Sequence, residues 1–180
     1  MYKTEVVDNI SENLQKELDA FSDNNWGEHV HPGNISIQFF AKPSFAVVAK
    51  KGNVLVGVLF VFVRDIIFDT KKYSLGGIGG VVVDKNFRGM DIATTLLIVA
   101  TEEMKNRRVD MSMLCTDLER LGGLYEKSGF VKLGRNYFFT DKNGGVGIES
   151  GGMIKAICSK KAFETILNSE LDINVGVSNF

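Results

Sequence analysis

The sequence has little of several features that mark specialised classes of protein. Its 180 residues include 2 prolines and 2 cysteines, which excludes a proline-rich linker and a disulfide-stabilised scaffold. Lysine and arginine (21) nearly balance aspartate and glutamate (22), and the formal charge is −1. So small a charge gives no bulk attraction to nucleic acid or to an anionic membrane. We therefore expect neither a nucleic-acid nor a membrane partner.

Long hydrophobic runs are also missing. The longest, Val54 to Val63, is interrupted by Gly57 and has about ten residues, whereas a transmembrane helix needs roughly 20. The N-terminus, Met1 to Glu5, has no apolar signal region. With Cys115 and Cys158 as two free thiols, these features predict a cytoplasmic protein.

The composition that is present is that of a globular domain. Apolar residues make up 44% and charged residues 24% of the chain, and 180 residues suffice for one full hydrophobic core. No repeat or low-complexity tract divides the sequence. We therefore predict a single domain over residues 1–180.

The first half of the chain shows one helical pattern followed by a hairpin pattern. Apolar residues from Val7 to Phe21 recur at spacings of three and four, with Asn9 and Glu12 as a capping box. A polar loop is expected over Ser22 to Asn34. The apolar runs Ser44–Lys50 and Val54–Val63 flank a turn at residues 51–53, which predicts a β-hairpin.

The second half alternates extended and helical patterns, so we predict a mixed α/β sheet. The expected segments are extended pieces at Tyr73–Leu75 and Ile78–Val83, a helix at Ile92–Arg108, a strand at Met111–Cys115, a helix at Leu118–Ser128 ended by Gly129, and strands within Val131–Phe139 and at Met153–Cys158 around a turn at Asn143–Gly145.

One stretch combines features of a phosphate site. The strand ending at Val83 leads through a short loop directly into the helix that begins at Ile92. Such a junction presents unpaired backbone N–H groups at the positive end of the helix dipole, which suits a phosphate. Gly89 permits close backbone approach, and the small Ala93 leaves room in the first turn. An ordinary structural turn would give the same pattern.

Residues 88–93 also match a family motif. The sequence resembles the GCN5-related N-acetyltransferases, whose Arg/Gln-x-x-Gly-x-Gly/Ala loop holds the coenzyme A pyrophosphate. Arg88 and Ala93 fit this motif, but Asp91 stands where the middle glycine is usual. A second family feature, a tyrosine followed four residues later by glycine and an aromatic residue, is present as Tyr125, Gly129 and Phe130.

The resemblance implies a single-domain α/β fold with a mixed, mostly antiparallel central sheet that is flanked by helices and splayed at the acetyl-CoA site. It implies an acyltransferase that uses acetyl-CoA as co-substrate, with Tyr125 as the catalytic proton donor to the departing thiolate. The residues expected to bind acetyl-CoA are Val81, Val83, Arg88, Gly89, Met90, Asp91, Ile92 and Ala93. A homodimer is common in the superfamily, and no metal site is expected.

A patchier resemblance extends to the aminoglycoside 2′-N-acetyltransferase branch, which would make the acceptor a small primary amine such as an aminoglycoside or amino sugar. In that branch a glutamate precedes the phosphate loop, and Gly79 occupies the corresponding position here. Other candidates for the base are Asp117, His29, His31 and the terminal carboxylate of Phe180. A catalytically silent acyl-CoA-binding or regulatory domain and a protein N-acetyltransferase are the alternative functions.

Overall fold

The computed structural model describes residues 2–25 and 38–180. In chain order its strands are β1 (Lys3–Asp8), β2 (Phe45–Lys51), β3 (Val54–Phe68), β4 (Lys71–Val83), β5 (Met111–Cys115), β6 (Val131–Lys132), β7 (Tyr137–Thr140), β8 (Val146–Glu149), β9 (Gly152–Ala156) and β10 (Ile173–Val177). Its α-helices are α1 (Glu12–Asn25), α2 (Ile92–Asn106), α3 (Gly122–Lys127) and α4 (Lys160–Leu167), and a 3₁₀ turn spans Lys85–Phe87.

A seven-stranded sheet forms the centre of the fold, in the order β1-β2-β3-β4-β5-β9-β6. Its strand pairs are antiparallel except for β4 with β5. The parallel pair is possible because α2 lies between the two strands in sequence and provides the crossover. A mixed, mostly antiparallel sheet flanked by helices was expected, and the structure confirms it.

Alternation along β2 and β3 places apolar side chains on both faces of the sheet. On one face Val47 and Leu59 pack in the same cluster as Leu96 and Met104 of α2. On the other face Ala46, Val48 and Val58 pack with Leu18 of α1. Because helices cover both faces, these strands are apolar at almost every position rather than at every second one.

A smaller, three-stranded sheet has the order β10-β7-β8. It begins within the connection between β6 and β9, which are neighbours in the large sheet. Strand β10 joins it from the end of the chain by pairing in parallel with β7. The hairpin of β7 and β8 lies near the end of β5, where the Cys115 Sγ is 3.9 Å from the Glu149 carboxylate. Strand β10 lies near β3, whose Arg64 donates to the Val175 and Val177 carbonyls.

The prediction for the first segment is wrong at its start. Residues Lys3–Asp8, including Val7, form strand β1 and pair with β2 over their whole length. The helix begins at Glu12, and the Ser11 hydroxyl accepts a hydrogen bond from the Leu14 N–H at 3.3 Å, so Ser11 rather than Asn9 caps it. Val7 at the end of β1 continues the helical spacing of α1, so the strand end and the helix gave a single sequence pattern.

Other differences concern glycines and element ends. The pieces at Tyr73–Leu75 and Ile78–Val83 are one continuous strand, β4, because β3 pairs along both of them. Helix α3 begins at Gly122 rather than Leu118, and the expected loop after Phe21 is helical through Asn25. Elements β8, α4 and β10 were not predicted. The hairpin of β2 and β3, helix α2 and strand β5 are confirmed.

Among the described residues, no helix is both long and apolar enough to span a bilayer.

Candidate active site

The parallel strands β4 and β5 separate at one end. Their pairing runs from Leu75 with Met111 to Ile78 with Leu114, and β4 then continues to Val83 without β5 beside it. Gly80 has a positive φ of 57°, and the register between β3 and β4 shifts at this point. The backbone from residue 79 to 83 is therefore open on the side that faces away from β3. An extended chain of amides could pair with such an edge.

The loop after β4 places backbone N–H groups at the start of α2. The first helical hydrogen bond runs from the Thr95 N–H to the Asp91 carbonyl at 2.9 Å, so the N–H groups of Ile92, Ala93 and Thr94 have no acceptor within the helix. Gly89 has φ of 78°, and no other atom lies within 4 Å of where its Cβ would be. These groups form a concave, electropositive helix start that suits a phosphate.

Asp91 adopts the left-handed conformation, with φ of 55°, and its side chain caps nothing. This backbone conformation explains why a glycine is usual here, since glycine adopts it without steric cost. Aspartate is among the residues that tolerate it best. The Asp91 side chain is exposed to solvent, so salt weakens the effect of its charge on the loop.

The open edge and the loop line one cavity, which we call the donor cleft. It has a volume of about 440 Å³. The predicted site residues that line it are Val81, Val83, Arg88, Gly89, Asp91, Ile92, Ala93 and Tyr125. Met90 does not line it in the described structure, and its side chain is 56% exposed. The sequence motif therefore identified residues that lie together in space.

Two arginines reach the donor cleft. The Arg88 guanidinium donates to the Asn25 carbonyl at 2.7 Å, which ties the end of α1 to the loop. Arg120, which the sequence analysis missed, lines the same cleft and lies 3.6 Å from Asp117. No motif marks Arg120, because it lies within the turn at residues 117–121 and reaches the cleft only through the fold. Both arginines are exposed and can approach an anionic ligand.

Tyr125 lies at the inner end of the donor cleft. Its side chain is buried and packs edge-on against Phe130, with ring centroids 6.2 Å apart. Burial raises the pKa of the Tyr125 phenol to about 12, while a hydrogen bond with the Thr116 side chain acts in the opposite direction. The hydroxyl therefore carries its proton at neutral pH and is available as a donor.

A second cavity, which we call the Glu149 cavity, lies on the other side of Thr116. Its volume is about 520 Å³, and residues 115–119 and 149–151 line it. Cys115 is half-buried and lines this cavity. Burial raises the pKa of both the Cys115 thiol and the Glu149 carboxyl. The Cys115 Sγ lies 3.9 Å from the Glu149 carboxylate.

The candidates for a general base lie in different places. A Cβ at Gly79 would meet the main-chain carboxyl carbon of Phe180 at 2.5 Å, so the terminal carboxylate of Phe180, itself a candidate base, lies beside this strand position. The Asp117 carboxylate accepts from the N–H groups of Glu119 and Arg120 and thereby holds a turn. His29 and His31 lie outside the described residues.

The sequence matches the acetyltransferase (GNAT) family over residues 10–130. The chain belongs to this family. The match covers the hairpin, the donor cleft and Tyr125, and it confirms the family assignment and the expected class of acyltransferase. The finer resemblance to the aminoglycoside 2′-N-acetyltransferase branch gains no support from it. No curated protein matches the sequence.

Solved structures of other GNAT proteins share the fold. The GNAT family N-acetyltransferase YhbS of Escherichia coli, in complex with CoA, aligns over 98% of this chain and 88% of its own, with 13% identity and a TM-score of 0.63. The ribosomal-protein-S18-alanine N-acetyltransferase of E. coli aligns over 87% of this chain and 94% of its own, with 12% identity and a TM-score of 0.55.

A probable N-acyltransferase from Enterococcus faecalis aligns over 76% of this chain, with 12% identity and a TM-score of 0.61. This chain spans only 34% of the length of that protein. At these identities the structures support the fold.

The donor cleft of this GNAT protein fits acetyl-CoA as co-substrate. An open strand edge can accept the pantetheine amides, and the helix start with Gly89 can accept a pyrophosphate. Arg88 and Arg120 add positive charge at the same opening. The exposed Asp91 carboxylate is the one lining residue of the described cleft whose charge opposes an anion.

Proposed function

We propose that the protein transfers the acetyl group of acetyl-CoA to a primary amine of a small molecule, with an aminoglycoside or another amino sugar as the specific acceptor. The observation that carries the proposal is the donor cleft, in which a helix start, an open strand edge and a buried tyrosine face one space. Each of these suits a different part of the co-substrate.

Val81 and Val83 would align the pantetheine arm by strand-like pairing, because β5 leaves this edge of β4 free. The N–H groups of residues 88–93 would hold the pyrophosphate at the positive end of α2. Acetyl-CoA supplies an activated acetyl group as a thioester. Holding it along a rigid strand fixes the position of the thioester carbonyl relative to Tyr125.

Tyr125 would donate its proton to the thiolate that departs when the amine attacks. Its hydroxyl is protonated at neutral pH because burial raises its pKa to about 12. A positioned proton donor of this kind typically contributes about 10²–10⁴-fold to the rate. The neutral phenol also avoids placing a second negative charge beside the thiolate.

A catalytically silent acyl-CoA-binding domain is the second candidate. It is favoured by Gly79, which offers no side-chain carboxylate on the strand before the loop. It is disfavoured by Tyr125, which the structure keeps at the inner end of the donor cleft. A cytoplasmic location and a homodimer stay predictions that follow from composition and family resemblance.

The test combines calorimetric titration with acetyl-CoA and a thiol assay for released coenzyme A. The amine panel contains kanamycin, glucosamine, spermidine and an unblocked Ser-Ala-Gly peptide. We expect micromolar binding and amine-dependent release with an amino sugar. Binding without release for any amine would favour the silent domain, and release with the peptide alone would favour a protein N-acetyltransferase. Absence of binding would overturn the proposal.

A further inference from the structure

The Glu149 cavity meets the donor cleft at a pair of side chains. Thr116 lines the Glu149 cavity, and its side chain interacts with the phenol of Tyr125, which lines the donor cleft. The two cavities are therefore neighbours across this pair of side chains. A reaction between two bound substrates needs this arrangement, because each must reach the reacting centre without displacing the other.

The Glu149 side chain is a half-buried carboxylate without a cationic partner among the described residues. Its contact with a protein hydrogen-bonding group is the Cys115 thiol at 3.9 Å, which is weak. Burial raises its pKa, so the ionised form lacks full solvation. A positively charged ligand group would supply the missing partner.

The backbone holds Glu149 in a fixed position. Glu149 pairs with Tyr137 in the β7–β8 hairpin, and β10 pairs with the other side of β7. The Tyr137 hydroxyl donates to the Asn179 Oδ1 at 2.7 Å within the protein interior. A carboxylate on a rigid hairpin loses little entropy when it binds a ligand, which favours a binding role over that of a mobile surface charge.

The other carboxylates of this cavity differ from Glu149. Asp117 accepts two backbone hydrogen bonds and lies near Arg120, so its charge already has partners. Glu119 is exposed at the rim. Their negative charge attracts cations in general, but Glu149 combines partial burial with a free carboxylate.

We propose that the Glu149 cavity admits the acceptor and that the Glu149 carboxylate binds its ammonium group, which makes the enzyme selective for cationic primary amines. The proposal rests on the proposed function and names the site of its second substrate. It also replaces the carboxylate that Gly79 lacks with one from a different part of the chain.

The proton balance is complete with these residues. The ammonium group loses one proton to the Glu149 carboxylate, which passes it to water. The neutral amine then forms the C–N bond as the thioester C–S bond breaks, and Tyr125 protonates the departing sulfur. The nitrogen loses a second proton, which restores Tyr125. The sum is an amide, free coenzyme A and one proton in solution.

The first experiment measures the charge preference of the cavity without an acceptor. In a Cys158→Ser background, Cys115 is the one thiol in the sequence. We compare the rates at which Cys115 is modified by cationic aminoethyl methanethiosulfonate and by neutral methyl methanethiosulfonate. The ratio of the two rates does not depend on the thiolate fraction, because both reagents react with the same thiolate. We expect Glu149→Gln to lower the ratio about fivefold and Glu119→Gln, at the solvated rim, less than about twofold. An unchanged ratio in Glu149→Gln would overturn the proposal.

The second experiment uses whichever panel amine is acetylated by the wild type. Glu149→Gln should raise KM for that amine about tenfold or more, since a charge-assisted contact is lost, and should leave the Kd of acetyl-CoA unchanged. If the wild type did not bind acetyl-CoA, the proposed function itself would be contradicted. An unchanged KM in Glu149→Gln, with normal acetyl-CoA binding, would contradict this inference alone.

Discussion

The donor cleft and the Glu149 cavity are built in opposite ways. Most of the donor cleft comes from one continuous stretch, from Val81 through the loop to Thr94, so its geometry is set by local backbone. The Glu149 cavity joins residues 115–119 to residues 149–151, which are adjacent because β9 pairs with β5. A binding site for an invariant phosphate can be local, whereas a site that selects among acceptors can use distant segments.

The first prediction separates chemistry from binding at the point where the two cavities meet. Tyr125→Phe should lower kcat about 100-fold or more, because the proton donor is removed, and leave the Kd of acetyl-CoA within about twofold. The ring and its contact with Phe130 are kept. Steady-state kinetics and calorimetry provide both numbers.

Tyr2→Phe is a matched control for this change. It removes a hydroxyl that lies 2.8 Å from the Thr95 hydroxyl on α2, at a residue that does not line the donor cleft in the described structure. Its kcat should match that of the wild type. Equal activity in Tyr125→Phe would show that the thiolate leaves without help from this residue.

The second prediction concerns the packing of the Phe180 ring against β4. A Cβ added at Gly77 would overlap the Phe180 ring. That ring stacks on Tyr137 and lies under Arg64, whose pKa burial lowers to about 10, so it has little room to move. Gly77→Ala should therefore lower the free energy of unfolding by about 1–3 kcal/mol.

Gly123→Ala tests the opposite case in the same experiment. No atom lies within 4 Å of a Cβ at Gly123, which is exposed in α3. Alanine is the better helix former, so this variant should gain up to about 1 kcal/mol. Urea denaturation measures both. If Gly77→Ala were as stable as the wild type, Phe180 would not be packed against β4 as described.

The same contrast explains how much could be predicted from the sequence. The loop at residues 88–93 and Tyr125 carry family motifs, and most of these residues line one cleft. Helix α2 has a clear apolar periodicity and was predicted correctly. Thr116, Arg120 and Glu149 are single polar residues in no motif. Their positions beside the cavities depend on which strands pair, and no local sequence pattern predicts strand pairing.

The errors in predicting the fold from the sequence also have specific causes. The end of strand β1 was predicted as helix because Val7 continues the spacing of α1, and the rest of β1 was not predicted. Helix α4 did leave a signal, since Ser159 caps it by accepting from the Ala162 N–H and Ala162 and Ile166 form its buried face. Strands β8 and β10 each contain a glycine and several exposed positions, so neither shows the buried apolar run that marked β5.

The last and smallest effect concerns Asp91, where the donor cleft departs from the family motif. Asp91 has both a negative charge near a phosphate site and a positive φ of 55°. Asp91→Gly removes the charge and the steric cost of this φ, whereas Asp91→Asn removes the charge and keeps a side chain that tolerates this conformation. At low ionic strength both should tighten acetyl-CoA binding about threefold, which corresponds to loss of a screened like charge, and the gain should disappear at high salt. Tightening in Asp91→Gly alone would assign the effect to the backbone, because only glycine relaxes the conformation. No change in either variant would show that the exposed carboxylate is already fully screened from the pyrophosphate.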